Sequence, residues 1–246
     1  MQPRSHGFPP ESEMPIWLFP DDRVLKTHSA YRKAKAGDIS AAVHLVSDLA
    51  LPFIVKNKHR LPKDACYVAP HAREATGDNA IPQVLAQACA MISGGKADDD
   101  IVQISRVFHT GADPMERMAS RAAFEGLVNP NAVHILVDDV TTMGGTLAEL
   151  ADFIHIRGGL IGGVLLIVNA GRVKSLCPSR EVVRKIENRF GHELEEILGI
   201  QPKALTANEA NYLVGFRTAD EIRNRLAKAR QETNLRLRSK GIEREG

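Results

Sequence analysis

The segment that most constrains the fold of this chain runs from His134 to Thr146. It reads His-Ile-Leu-Val-Asp-Asp-Val-Thr-Thr-Met-Gly-Gly-Thr, and a stretch with helical periodicity then follows from Leu147 to Ile154. We interpret it as a buried strand that ends in two adjacent carboxylates, followed by a short Thr/Gly turn and a helix. Backbone N–H groups in such a turn attract a phosphate together with the helix N-terminus, and glycine lets a ligand approach closely. The segment therefore predicts a sugar-phosphate site.

This segment resembles the phosphoribosyl pyrophosphate (PRPP) signature of the type I phosphoribosyltransferases. That signature has four apolar residues, an acidic pair, two apolar or small residues and Thr-Thr-Gly-Gly-Thr or a close variant. The matching positions here are Asp138, Asp139, Val140, Thr142, Gly144, Gly145 and Thr146. Thr141 departs from the pattern, where a branched apolar residue is usual, and so does Met143, where a small residue is usual. A plain buried strand before a capped helix is the alternative, but it does not account for two acids plus Gly-Gly at this spacing.

The resemblance implies a role for each part of the segment. Asp138 and Asp139 would be catalytic residues that hold the ribose hydroxyls and a Mg²⁺ ion, in part through those hydroxyls or water, because carboxylate oxygens suit both. PRPP, through its 5′-phosphate, would be bound by Val140, Thr141, Thr142, Met143, Gly144, Gly145 and Thr146. Met143 lacks a hydroxyl that often contacts this phosphate, a loss of about 1.5–3 kcal/mol at most. Thr142 stands where purine-type members carry an Asp, which leaves orotate-like, adenine-like or unassigned acceptors open.

A second loop, residues 70–77, follows the predicted strand Tyr67–Ala69. In the family, the loop after the first core strand binds pyrophosphate, so the resemblance implies that His71, Ala72 and Arg73 contact the pyrophosphate of PRPP. Arginine is well suited to such an anion. The alternative is a surface loop whose His and Arg side chains are simply solvated.

The stretch from Arg106 to Arg121 lies between the second predicted strand and the signature strand. Its length without a clear period is typical of a mobile lid. Arg106 and Arg117, our further catalytic candidates, would close on the pyrophosphate together with His109 and Arg121. The alternative is a helix from Asp113 with a solvated basic face.

The same stretch is similar to the ComF-type phosphoribosyltransferase-like proteins of bacterial competence. Those proteins carry an Arg…Thr…Glu-Arg…Phe pattern upstream of Val-Asp-Asp, and this chain shows it at Arg106, Thr110, Glu116, Arg117 and Phe124. An N-terminal Cys₄ zinc ribbon, which many of that group have, is absent from the sequence. Aromatic candidates for stacking on an acceptor base are Phe53, Tyr67, Phe108 and Phe153.

Composition sets broad limits on the protein class. The 246 residues can form one large domain or a core with a cap, and the net charge of +2 gives no reason to expect nucleic acid. The three cysteines are far apart in sequence and predict reduced thiols rather than a zinc site. No apolar run reaches the roughly 18 residues that a membrane helix needs, and no signal pattern opens the chain. We expect a cytoplasmic protein with no membrane partner.

Alternating strand and helix patterns predict an α/β fold with a central, mostly parallel sheet flanked by helices. This is the type I phosphoribosyltransferase fold that the resemblance implies, with helices added at both ends. Predicted strands are residues 67–69, 101–104, 134–137 and 163–168. We expect poor order over residues 1–15, an N-terminal helical hood or cap over 16–60, the core over 61–175 and a C-terminal helical extension over 176–246.

Two functions remain open at this point. The first is a Mg²⁺-dependent phosphoribosyltransferase, a pentosyltransferase, that moves ribose 5-phosphate from PRPP to a small nitrogen heterocycle. The second is a non-catalytic protein on the same fold that binds PRPP or a nucleotide, in a regulatory or DNA-uptake role. Family members often dimerise, so the resemblance also implies a homodimer.

Overall fold

The structure is a computed structural model that describes residues 2–9, 16–19, 22–71, 79–105 and 113–239, with the backbone alone at 16, 17 and 236–239. Its strands are β1 (Ile16–Phe19), β2 (Cys66–Val68), β3 (Lys96–Asp98), β4 (Val102–Gln103), β5 (Phe124–Glu125), β6 (Val133–Thr141) and β7 (Leu160–Asn169). Five strands form one sheet in the order β1-β7-β6-β2-β3, and every neighbouring pair is parallel. The predicted central sheet flanked by helices is confirmed.

Eleven α-helices surround this sheet in the part of the chain that the structure describes. They are α1 (Arg23–Thr27), α2 (Tyr31–Lys35), α3 (Ile39–Leu49), α4 (Leu51–Lys56), α5 (Ile81–Ser93), α6 (Pro114–Ala119), α7 (Gly145–Ile156), α8 (Arg180–Phe190), α9 (Glu193–Leu198), α10 (Ala207–Leu213) and α11 (Ala219–Ser239), with short 3₁₀ turns at Lys58–Arg60 and Pro202–Ala204. Within the described ranges, none is both long enough and apolar enough to cross a membrane.

The signature strand β6 lies in the middle of the sheet, and its side chains alternate between two cores. Ile135 and Val137 pack with α3 and α5 on one face, whereas Leu136 packs with α7 on the other. This alternation follows from the period of two in a strand. Because both faces are covered, the strand reads as a continuous apolar run in the sequence.

The C-terminal helices form a third apolar core of their own. Ile186, Phe190 and Leu194 are buried there, and Met115 and Met118 of α6 pack into the same cluster. Ser179 caps α8 by accepting a hydrogen bond from the Val182 backbone N–H. Gly191 ends α8 with a positive φ of 53°, so α8 and α9 are separate helices.

The two edges of the sheet differ from the sequence prediction. The edge strand β3 reads Lys-Ala-Asp and is largely exposed, so it lacks the apolar pattern by which a strand is recognised. The predicted strand over 101–104 is wrong as part of the main sheet, since β4 pairs with β5 in a separate antiparallel ribbon. At the other edge, β1 was missed because the segment is short and stands alone; it pairs with β7.

Residues 2–9 also differ from the poor order expected over residues 1–15. Arg4 is completely buried, and its backbone N–H donates to the Gly199 carbonyl while its carbonyl accepts from Gln201. These bonds fix the segment beside the C-terminal helices. Residues 10–15 lie outside the described residues, and the division of the chain into four segments stays a prediction.

Candidate functional site

The carboxyl end of β6 presents the acidic pair at the centre of the sheet. Asp138 is half-buried and Asp139 is 2% exposed. Each carboxylate accepts a hydrogen bond from the next backbone N–H: Asp138 Oδ1 from Asp139 at 2.8 Å and Asp139 Oδ1 from Val140 at 2.9 Å. These bonds fix the rotamers of both side chains before any ligand arrives.

A lysine from the N-terminal helices reaches this pair. Lys35, the last residue of α2, places its Nζ 2.8 Å from Asp139 Oδ2. Burial alone would lower the pKa of Lys35, but the carboxylates of Asp139 and then Asp138 outweigh it, so the pKa is raised and the ammonium stays charged. Sequence reasoning missed Lys35 because it lies about a hundred positions from its partner.

The two acids are not equivalent. Burial, and secondarily the negative charge of Asp139, raise the pKa of Asp138 well above its usual value, although Lys35 opposes this effect. An acid with a raised pKa holds its negative charge at a free-energy cost. A cation bound beside Asp138 would offset this cost, so Asp138 is the acid at which an added cation gains the most binding free energy.

The turn after β6 leads directly into α7. Gly144 has a φ of +79° and forms the N-cap, so α7 begins at Gly145, two residues earlier than the predicted helix. A side chain at Gly144 would be strained, and its Cβ would lie 3.3 Å from the Thr206 methyl carbon. Gly145 and Thr146 thus stand in the first helical turn, whose N–H groups have no partner within the helix and are available to an anion.

One of the predicted arginines reaches this turn. Arg117 Nη1 donates to Thr142 Oγ1 at 3.1 Å. Asp113 and Glu116 form a capping box at the start of α6, which positions the helix. The alternative of a helix from Asp113 is right about the helix but wrong about a solvated basic face, because Met115 and Met118 are buried and Arg117 is half-buried.

The structure describes only some of the remaining predicted site residues. His71 places Nδ1 3.1 Å from the Ala69 carbonyl oxygen, and Pro70 is the residue of this loop that lines the cavity within the described ranges. Ala72, Arg73, Arg106, His109 and Phe108 lie outside the described residues. Of the aromatic candidates, Tyr67 and Phe153 belong to the apolar cores and Phe53 is half-buried.

All nine signature residues from Asp138 to Thr146 line one cavity of about 480 Å³. The N-terminal helices contribute further lining residues, which sequence reasoning did not find. They are Asp22, Lys26, Tyr31 and Lys35. The lining therefore combines the acidic pair and the Thr/Gly turn with two ammonium groups.

Part of the wall of the same cavity is a cluster of charged and largely buried side chains, which we call the Arg4 cluster: Arg4, Arg121, Glu149 and Glu209. Arg4 Nη1 donates to Glu149 Oε1 at 3.2 Å and contacts the Gly145 carbonyl at 3.4 Å, and Nη2 is paired with Glu209. Arg121 binds Glu149 with both Nε and Nη2 at 2.7 Å. The cluster ties the N-terminal segment to the first turns of α7 and α10.

A hydrogen-bonded chain continues from this cluster to the turn itself. Glu209 accepts from the Thr206 backbone N–H at 2.8 Å, and Thr206 Oγ1 donates to the Met143 carbonyl at 2.5 Å. Met143 is therefore held through its carbonyl, while its side chain packs against the C-terminal core. The C-terminal helices fix the backbone of the turn.

Comparisons with known proteins were made by sequence and by structure. The chain is 34% identical over 219 residues to the protein TraN of Escherichia coli, covering 87% of this chain and 49% of that protein. It is 37% identical over 144 residues to an uncharacterized protein of Haemophilus influenzae, covering 55% of this chain and 32% of that one. The chain thus spans half or less of the curated relatives that it matches. No family model matches the chain.

Several similar solved structures are phosphoribosyltransferases. The adenine phosphoribosyltransferase of Thermoanaerobacter pseudethanolicus is 15% identical with a TM-score of 0.35, over 54% of this chain and 74% of that one. That of Leishmania tarentolae is 14% identical with a TM-score of 0.35, over 64% and 92%. A hypoxanthine phosphoribosyltransferase of Staphylococcus aureus is 9% identical with a TM-score of 0.31, over 55% and 63%. Similarity this distant carries no assignment of activity, and the ComF-type likeness stays a prediction.

Proposed function

We propose that this protein is a Mg²⁺-dependent phosphoribosyltransferase that transfers ribose 5-phosphate from PRPP to a nucleobase-like nitrogen acceptor. One observation carries the proposal: the acidic pair, the Gly144–Thr146 turn and the N-terminus of α7 open into the same cavity. Ribose hydroxyls and a phosphate are the groups that this combination is suited to bind.

The acidic pair fits a magnesium ion by the chemistry of its donors. Both side chains offer hard carboxylate oxygens, and the second oxygen of Asp138 is not used by the backbone bond to Asp139. Asp138 would hold the ion directly or through the ribose hydroxyls, and Asp139 would assist once Lys35 shifts. Magnesium, when bound, neutralises the pyrophosphate leaving group.

The protein's own residues would bind and orient the rest of PRPP. Gly144, Gly145 and Thr146 would receive the 5′-phosphate on backbone N–H groups. Arg117, fixed by its bond to Thr142, would contact the developing negative charge, with Arg106 and residues 71–73 as further pyrophosphate partners. We further infer a cytoplasmic location and a homodimer; sedimentation velocity tests the dimer.

Calorimetry with PRPP and Mg²⁺ tests the proposal most directly. We expect Mg²⁺-dependent binding to the wild type, at least a hundredfold weaker binding to the Asp138→Asn/Asp139→Asn double variant, and pyrophosphate release with one of a panel of bases. The Asp99→Asn/Asp100→Asn variant is a matched control, because it removes two adjacent but exposed acids. No binding by the wild type would contradict the proposal.

A specific observation favours the second function, a non-catalytic PRPP- or nucleotide-binding protein with a regulatory or DNA-uptake role. Lys35 already supplies a positive charge at 2.8 Å from Asp139, so a sugar phosphate could bind without a metal ion. The two functions differ in turnover. Binding of PRPP with no pyrophosphate release for any base would favour the regulatory function and contradict the enzymatic one.

A further inference from the structure

A second cavity, of about 510 Å³, adjoins the first at the signature turn. Arg117, Thr142 and Met143 line both cavities. The loop after β7 and the C-terminal helices supply the rest of the wall: Ala170, Gly171, Arg172, Asn208, Asn211, Tyr212, Gly215 and Phe216, with Pro114 of α6. Its volume lies within the range of small-molecule sites, about 300–1,000 Å³.

One wall of this second cavity is aromatic. The rings of Tyr212 and Phe216 meet edge to face, with centroids 5.3 Å apart and planes at 78°. Both are half-buried, and Pro114 and Met143 add apolar surface. Burial raises the pKa of Tyr212 further above neutral pH. Such a wall favours a flat, unsaturated ring.

Asn208 holds the loop after β7 through two hydrogen bonds. Asn208 Oδ1 accepts from the Val173 N–H at 2.9 Å, and its Nδ2 donates to the Val173 carbonyl at 2.8 Å. A Cβ at Gly171 would lie 2.5 Å from Asn208 Nδ2 and 2.6 Å from the Thr142 carbonyl oxygen. Glycine is therefore required for the loop to pack against the signature turn.

Two exposed polar side chains of this cavity can form hydrogen bonds with the edge of a ring. Asn211 is exposed, and its amide has no hydrogen-bond partner among the described residues. An amide donates and accepts side by side, which matches the alternating donors and acceptors of a nitrogen heterocycle. The guanidinium of Arg172, also exposed, adds donors for a ring carbonyl or carboxylate.

We propose that this second cavity binds the planar nitrogen heterocycle itself, stacked on the Tyr212–Phe216 wall and recognised by Asn211. Its role as the acceptor rests on the proposed function, whereas its binding does not. The C-terminal helices would then set base specificity as well as hold the signature turn. This assignment replaces the aromatic candidates drawn from the sequence, two of which are core residues.

Ligand-observed NMR and calorimetry with adenine, hypoxanthine, uracil and orotate test this site. We expect at least one base to bind the wild type, and both Phe216→Leu and Asn211→Ala to weaken that binding about tenfold. Asn224→Ala is the matched control, an exposed helical asparagine outside the cavity, and should change nothing. Binding of PRPP with Mg²⁺ should persist in all three variants.

The outcomes separate this inference from the proposed function. Equal base affinity in Asn211→Ala, Phe216→Leu and wild type would overturn the cavity assignment, and so would binding of PRPP without binding of any base. Base binding that both variants lose, in a protein that does not bind PRPP, would support the cavity and contradict the transferase. Asn211 is exposed, so its variant remains informative even if Phe216→Leu unfolds.

Discussion

Two charged clusters line the same cavity beside the signature turn, and their charges are balanced differently. The Arg4 cluster pairs two guanidinium groups with two carboxylates, all buried or nearly so. Asp138 and Asp139, in contrast, share the ammonium of Lys35. The Arg4 cluster can therefore stabilise the folded protein, whereas the acidic pair leaves negative charge for a ligand to neutralise.

Arg4→Met should have the largest effect on stability, because it would break the Arg4 cluster. Glu209 would lose its buried partner, which costs about 3 kcal/mol of unfolding free energy. Urea denaturation measures this loss. Arg223→Met is the control, because that arginine pairs with Glu193 and Asp220 at the surface, where water screens the charges, and its loss should cost much less. Equal losses in the two variants would remove the distinction between buried and exposed pairs.

Thr206→Val tests the link between the Arg4 cluster and the signature turn. The variant keeps its shape but loses the cap of α10 and the bond to the Met143 carbonyl, at about 1–2 kcal/mol. We also expect weaker PRPP binding by calorimetry. Ser179→Ala removes the cap of α8 in the same region at a similar cost, and should leave PRPP affinity unchanged. A matching loss of affinity in Ser179→Ala would make the effect one of general stability.

Asp139→Asn should lower stability, because Lys35 would lose its ion pair in a half-buried position. We expect a loss of about 1 kcal/mol, since the ammonium remains partly solvated. Differential scanning calorimetry detects this as a lower Tm. A Tm that rises instead would mean that the Lys35 contact does not stabilise the protein.

Asp138→Asn should have the smallest effect on stability, with the opposite sign. The folded-state pKa of Asp138 is raised above the unfolded-state pKa. Between these two pKa values the folded protein binds more protons than the unfolded one, so the protein loses stability as the pH rises through this range. The neutral amide removes this cost, and we expect a gain of about 0.5–1 kcal/mol at neutral pH. The gain should vanish below about pH 4, the unfolded-state pKa. A gain independent of pH would contradict this cause.

The sequence predicted what depends on local pattern. The apolar run of β6 is continuous because both faces of the sheet are covered. Asp38 and Ser179 are residue types that favour N-caps, and they cap α3 and α8. The acidic pair and the glycines could also be located, since their order along the chain reflects the order of strand, turn and helix.

The rest depends on contacts between distant positions. The Thr206-x-x-Glu209 spacing is a readable capping box, but nothing in the sequence shows that Arg4 completes it. Lys35 and the Tyr212–Phe216 wall were missed for the same reason. The edge strand β3 was missed because an exposed edge needs no apolar pattern, so its residues resemble a loop.

The pairing of Arg4 with Glu209 spans 205 positions of the chain. During biosynthesis, the signature turn leaves the ribosome well before Thr206 and Glu209. The Met143 carbonyl therefore cannot accept its hydrogen bond from Thr206 until α10 has been synthesised. Contacts of such long sequence separation form late and slow folding. Nascent chains that end before α10 would therefore hold the acidic pair beside a turn that is not yet fixed, and the complete cavity would arise only as α10 docks.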